Sequence, residues 1–311
     1  MALQLISNTL NLNFMGFRWY AIAFSVISIF ITGGLLATKG LNLGVDFAGG
    51  ALVQIQTPAK ADIGQLRQAL SAGGLASVTL QAYGNENEVI VRMPAESGSE
   101  LQEKSNQIKN LMAPVAGEVV VRRVEYVGPQ IGEELRRDGV LAVALALLAI
   151  MIYVSARFEM RYGVGALVSL FHDVTLTVGV ISLLQMEVNM TVLAAILTII
   201  GYSLNDTIVI FDFLREDRRK QKKAPLLNVM NESLNRTLSR TLMTGMTTLV
   251  VLLVMYIWGG ETLEGFAFTL LLGVVLGTYS SIFVACPTVL LMENYYQRMA
   301  AEREKEGKTT A

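Results

Sequence analysis

Six stretches of the chain are apolar for long enough to cross a lipid bilayer: about 17–37, 139–156, 163–184, 191–214, 236–258 and 264–291. A hydrocarbon core about 30 Å thick takes roughly 20 residues of helix. The second stretch is short, but it continues upstream through Gly139 without a breaker. Only 42–135, between the first two stretches, has a soluble pattern. There ALVQIQT (51–57) predicts a strand, and IGQLRQALSAGG (63–74) predicts an amphipathic helix ended by Gly73 and Gly74. SVTLQAYG (77–84) and NEVIVRM (87–93) alternate and are joined at Asn85 and Glu86, which predicts a hairpin. ELQEKSNQIKNLMAPV (100–115) carries Leu101, Ile108, Leu111 and Met112 on one helical face, and EVVVRRVEYVG (118–128) ends the region as a strand. The order β-α-β-β-α-β is the ferredoxin-like plan. The expected fold is therefore a polytopic α-helical membrane protein with six transmembrane helices and one ferredoxin-like α+β domain.

Basic residues set the expected orientation. The connection 157–162 holds Arg157 and Arg161, and the connection 215–235 holds Arg215, Arg218, Arg219, Lys220, Lys222 and Lys223. The tail, 292–311, holds Arg298, Arg303, Lys305 and Lys308, whereas the alternate connections 185–190 and 259–263 hold no lysine or arginine. Both ends, 1–16 and 292–311, are expected in the cytoplasm, with 38–138 outside as a periplasmic domain. The first stretch is too long and too late for an ordinary signal peptide and reads as an uncleaved anchor.

Composition narrows the chemistry. Of 311 residues, 52% are hydrophobic and 16% charged, against about 25% charged in soluble proteins. The net charge of −1 gives no nucleic-acid signal. One cysteine, Cys286, makes no internal disulfide, and one histidine, His172, excludes a multi-His metal site within the chain. CxxC, GxxxxGK[ST] and HExxH are absent, so nothing supports a nucleotide-driven motor or a zinc hydrolase, and no cofactor is implied.

Charged groups inside membrane helices normally face the bundle and are functional by default. GYSLNDTIVIFD (201–212) puts Asp206 in the middle of the fourth stretch, about 13 Å of helix rise from the expected cytoplasmic end. Ala194, Thr198, Gly201 or Tyr202, Asn205 and Asp206 form one small and polar stripe. On the fifth stretch Thr237, Arg240, Thr241, Thr244 and Thr248 form another, and Arg240 matches Asp206 in depth if that helix begins near Ser233 or Leu234. Desolvation favours a neutral carboxyl and a nearby guanidinium favours a charged one. Such a group can change protonation when a helix shifts, beside an arginine that keeps its charge. One proton crossing 100 mV releases about 2.3 kcal/mol. The plainer alternative is a static ion pair. Asp212 is expected to pair with Arg215 or Arg219 at the interface, and Arg236 to meet water or lipid headgroups. In the third stretch His172 and Asp173 are either a packing pair or part of a proton path, with Ser169, Thr175 and Thr177 as nearby donors. The sixth repeats Gly265, Thr269, Gly273, Gly277, Ser281 and Ala285 at every fourth position, a ridge for close helix packing.

Several long motifs, in order, carry a resemblance: GVDFAGG (44–50), VEYVGPQIG (124–132), FHDV (171–174), GYSLNDTIVIFDFLRE (201–216), LNRTLSRTLMTGMTTL (234–249) and GGETLEGFAFTLLLGVVLGTYSSIFVA (259–285). Across nearly its whole length the chain resembles the SecF family, membrane subunits that work with SecD beside the bacterial protein-export channel. The resemblance implies half of an RND-type bundle, completed to twelve helices by SecD. It implies a proton-motive-force-driven role in late translocation of unfolded preproteins across the inner membrane, with the Sec channel as a further partner and membrane lipid around the helices. It places the proton relay on Asp206 with Arg240, and Asp173 among the intramembrane charges, with His172 beside it. Within GVDFAGG, Asp46 reads as a turn or capping residue and Gly49 and Gly50 as turn glycines. The small ridge and polar faces then look for SecD as an outside partner.

Two other readings compete: a passive scaffold whose charges only staple helices, and half of a small-molecule exporter. Exporters of this fold carry a larger, duplicated outer region than the 90 or so residues here. Gly40, Gly44, Gly49 and Gly50, at the base of the outer domain, are expected to act as hinges.

Overall fold

The computed structural model describes residues 11–75, 78–83, 86–94 and 98–309. Residues 1–10 and 310–311 of the two expected cytoplasmic ends, and Asn85 of the expected hairpin turn, lie outside them. A 3₁₀ turn, Phe14–Phe17, is capped by Asn13 and leads into α1, Arg18–Thr38. Then follow β1 (Asn42–Leu43), α2 (Val45–Ala48), β2 (Gly50–Gln56), α3 (Ile63–Ala72), β3 (Thr79–Ala82), β4 (Glu88–Met93), α4 (Gly98–Ala116) and β5 (Val120–Val127). Next come α5 (Pro129–Arg157), α6 (Met160–Leu184), β6 (Glu187–Val188), α7 (Met190–Lys220), α8 (Leu226–Trp258) and α9 (Glu261–Ser280). A π turn, Ser281–Ala285, joins α9 to α10 (Cys286–Thr309).

The chain divides into two compact units, one of Asn42–Leu141 with Glu187–Met190, the other of Met1–Leu41, Ala142–Met186 and Thr191–Ala311. In the first, four antiparallel strands take the order β3-β4-β2-β5. The order of a ferredoxin-like sheet follows from the sequence of elements, because each helix carries the chain across one strand position. Alternation on β2 and β4 sends Ala51, Val53, Ile55, Val89, Val91 and Met93 to one face. Leu66 and Leu70 of α3 and Ile108 and Met112 of α4 close that core. Asp62 caps α3 by accepting from the Gly64 and Gln65 amides at 2.9 and 3.2 Å, and Gly74, at φ +86°, lets the chain turn away after it. A second, two-stranded sheet pairs β1 with β6 in parallel.

Among the described residues, six helices are long and apolar enough to cross a membrane, and most of their length belongs to the second unit. They outrun the apolar stretches: α5 begins at Pro129, and α8 begins at Leu226 rather than near Ser233. Proline at the first position of α5 loses no helical hydrogen bond. Helix α6 is closely enclosed, with Gly165 against Ala285 and Val289, and Gly179 against Thr32 of α1. Helices α5 and α8 expose most of their apolar surface. The π turn precedes Pro287, which has no amide to give and whose ring crowds the carbonyl four residues back; the wider turn relieves both.

The ridge of small residues on α9 has its partner inside the chain. A methyl group added at Gly273 would meet Ile199 of α7 at 2.2 Å, and one at Gly277 would meet Ser203 at 3.0 Å. The expectation that this ridge needs an outside partner is therefore corrected. The free small-residue face is on α7 itself, where Ala194, Thr198, Gly201 and Asn205 are exposed.

Candidate functional site

Helix α7 has two faces in its middle turns. Ser203, Thr207 and Ile210 are buried against the bundle, and the small polar stripe is exposed. Asp206 lies at the border, 4% exposed, and its Oδ2 is buried with no hydrogen-bond partner. Arg240 of α8 gives that oxygen no hydrogen bond. Its own side chain is exposed, beside a cavity of about 300 Å³ lined also by Tyr153, Arg157, Phe158 and Asp212. Tyr202 reaches from α7 to Thr248 of α8 at 3.4 Å, tying the two polar stripes together one turn away. A buried anionic oxygen without a donor is an expensive arrangement unless the group changes charge.

Asp173 is equally buried but fully engaged. Its Oδ2 accepts from Ser203 of α7 at 2.6 Å and from Ser280 of α9 at 2.7 Å, and its Oδ1 lies 3.0 Å from His172 Nδ1. Ser169 continues the chain through Ser280, and the His172 ring stacks on Tyr279. The expected donors Thr175 and Thr177 give Asp173 no hydrogen bond; Thr177 Oγ1 is buried without a partner, as is His172 Nε2. Thr175, two residues on, faces another side of the helix. The hydroxyl donors to Asp173 come instead from two other helices. Ser203, a donor to Asp173, lies three residues before Asp206 on α7.

One expectation for the far end of α7 is corrected. Asp212 makes no ion pair with Arg215 or Arg219; it lines the cavity beside Arg240, while Arg215 lies over the Phe158 ring. Arg236 is paired with Asp217, which is 2% exposed and also accepts from Ser233 at 2.8 Å. Asp217 sits in REDRRK, which reads as a solvated charge run, so nothing in its neighbours marked it as buried.

The GVDFAGG segment packs against Glu187–Met190 within the sheet unit. Asp46 Oδ2 accepts from the Met190 amide at 2.9 Å, which makes it a cap on the first turn of α7. The Gly44 amide donates to the Val188 carbonyl at 2.8 Å, extending the β1–β6 pairing. Arg92 of β4 pairs with Glu187 and donates to Asn42 Oδ1 at 3.1 Å. Four residues of the α6–α7 connection thus belong to the sheet unit. The glycines serve close approach more than freedom. A methyl group at Gly44 would meet Glu187 at 2.6 Å, at Gly49 Pro129 at 2.7 Å, and at Gly50 the Met93 carbonyl at 2.8 Å. Of the four expected hinges, only Gly40 has open space around it.

With this geometry in view, the comparisons with known proteins are specific. Residues 107–295 match the family described as Protein export membrane protein SecD/SecF, C-terminal, and residues 34–57 match the SecD/SecF GG Motif. The chain belongs to the SecD/SecF family. Its full-length relatives lie on the SecF side. It is 45% identical to the Protein translocase subunit SecF of Magnetococcus marinus, over 98% of this chain and 99% of that one. It is 43% identical to that of Vibrio alginolyticus over 98% and 97%, and 38% identical to that of Escherichia coli O157:H7 over 95% and 92%. Among solved structures, it resembles SecDF, a translocon-associated membrane protein from Thermus thermophilus, with a TM-score of 0.85 at 35% identity. That match covers 93% of this chain and 40% of the other, so the chain spans about two fifths of SecDF. SecDF in its super-membrane-facing form gives 0.71 at 34% identity over 94% and 40%. The SecD/SecF GG match holds Asp46, Gly49 and Gly50, and the C-terminal match holds His172, Asp173, Asp206 and Arg240.

Proposed function

We propose that the chain is the SecF subunit of a Sec translocase and that, with SecD, it uses the proton-motive force to assist preprotein translocation across the bacterial inner membrane. Asp206 is the group that binds and releases the proton. The single observation that carries this is its buried carboxylate, with one oxygen left without a hydrogen-bond donor. Ionised, Asp206 draws Arg240 inward; protonated, it releases Arg240 toward the cavity it shares with Asp212. A difference of this kind biases a two-state helix arrangement. His172 and Asp173 support the site by holding α6, α7 and α9 together through Ser203 and Ser280.

The exposed polar stripe of α7 is the natural contact for SecD, which would complete an RND-type bundle. In the orientation set by the basic loops, both termini are cytoplasmic and the ferredoxin-like domain is periplasmic, where it meets emerging unfolded preprotein near the Sec channel. Membrane lipid covers the apolar faces of α5 and α8. The role is transport, with no cofactor. Two solved SecDF chains, nearly equal in identity to this one but unequal in TM-score, support a fold that takes more than one arrangement.

The scaffold reading is favoured by Asp173 and Asp217, whose buried carboxylates are both met by serine donors from other helices. Reconstitution of Asp206→Asn with SecD separates the two. Proton-dependent stimulation of export should vanish while the complex with SecD stays intact; stimulation at the wild-type level would leave only the scaffold.

A further inference from the structure

One cavity has no part in the proton site. It measures about 470 Å³ and lies among the first turns of α1, the α7–α8 connection and α10. Four cations line it: Arg18, Arg218, Lys222 and Lys223. Arg18 donates to the Met15 carbonyl and Arg218 to the Ala224 carbonyl, each at 2.7 Å, so both guanidinium groups are held in place by neutral acceptors. Among the described residues none of the four pairs with a carboxylate. The one acid in the lining, Glu293, is taken by Arg161.

The rest of the lining is apolar or amphipathic. Ile22, Leu226, Leu290 and Leu291 form walls, and Trp19, 58% exposed, stands at the mouth under the Arg18 guanidinium. From Trp19 the exposed apolar side of α1 runs on through Phe24, Ile27 and Phe30. A concentrated positive charge at a helix end, opening onto an apolar track, matches one chemistry: a phosphodiester attached to hydrocarbon. Basic pockets between membrane helices favour anionic headgroups, and each nearby lysine or arginine adds to the attraction. Arginine supplies the forked donors that suit phosphate oxygens, and tryptophan suits the level of the headgroups.

We propose that this cavity holds the headgroup of an anionic phospholipid, with its acyl chains along α1. A soluble phosphate would use the same cations but gain nothing from the apolar track. Bound there, the lipid joins α1, α10 and the α7–α8 connection, and so braces the end of the helix that carries Asp206 without touching the relay.

Trp19 is the reporter. In the full chain carrying Trp258→Phe, reconstituted in phosphatidylcholine nanodiscs, brominated phosphatidylglycerol should quench Trp19 at about a tenfold lower mole fraction than brominated phosphatidylcholine. Arg218→Gln with Lys222→Gln should remove that preference. Arg219→Gln with Lys220→Gln removes equal charge outside the lining and should keep it. The single exposed change Lys222→Gln should weaken the preference with no demand on folding. Equal quenching by the two lipids, or equal loss in the control pair, would overturn the site. Full relief of phosphatidylglycerol quenching by millimolar inorganic phosphate would assign the cavity to a soluble anion and overturn the lipid.

Discussion

At the residue scale, two buried aspartates of the same bundle carry opposite thermodynamic signs. Asp173 is fully enclosed and its carboxylate is met by two serines and a histidine. An amide there turns one acceptor into a donor facing other donors. Asp173→Asn should therefore lower stability by about 1–3 kcal/mol, read as thermal unfolding of the purified chain in detergent. Asp206 has a buried oxygen that nothing satisfies. Asp206→Asn removes an unpaired charge, so the same measurement should show no loss, or a small gain. A large loss at Asp206 would mean it is a staple like Asp173. The sequence made Asp206 conspicuous because it stands alone in an apolar helix. It could not separate the two aspartates, since what distinguishes them is donated by Ser203 and Ser280, far apart along the chain.

At the element scale, the small residues on α7 and α9 look alike in sequence but differ in use. Gly273 of α9 lies against Ile199, where an added methyl group would meet it at 2.2 Å. Gly273→Ala should cost about 1–3 kcal/mol, and Ile199→Ala in the same chain should recover part of that. Gly201 of α7 has nothing within 4 Å. Gly201→Leu should leave the unfolding of the isolated chain unchanged and weaken its co-purification with SecD. Helices, strands and their order were legible because hydrophobic period and turn glycines are local signals. Helix ends were less so: α5 and α8 continue for several residues past their apolar runs, as polar residues do not stop a helix that a proline starts or a neighbour supports. The pairing of the α9 ridge with α7 was hidden for the same reason as the Asp173 donors.

At the scale of the whole molecule, Asp46, Arg92 and Glu187 fix the stretch Glu187–Met190 within the sheet unit, and Met190 is the first residue of α7, sixteen residues before Asp206 and about 24 Å of helix rise away. Asp46→Ala removes a cap worth about 1 kcal/mol. If movement of α7 is felt through this cap, the variant should keep proton flux and lose export stimulation; loss of neither would remove the cap from the mechanism. GVDFAGG signalled this segment, but its partner, Glu187–Met190, lies in a short connection that carries no motif of its own. The most direct test of the relay is proton flux itself, followed by a pH-sensitive dye inside proteoliposomes that hold the chain with SecD and are translocating preprotein. Wild type should carry protons down the gradient and Asp206→Asn should fall to the level of empty vesicles. Undiminished flux through Asp206→Asn would contradict the proton role of that carboxylate.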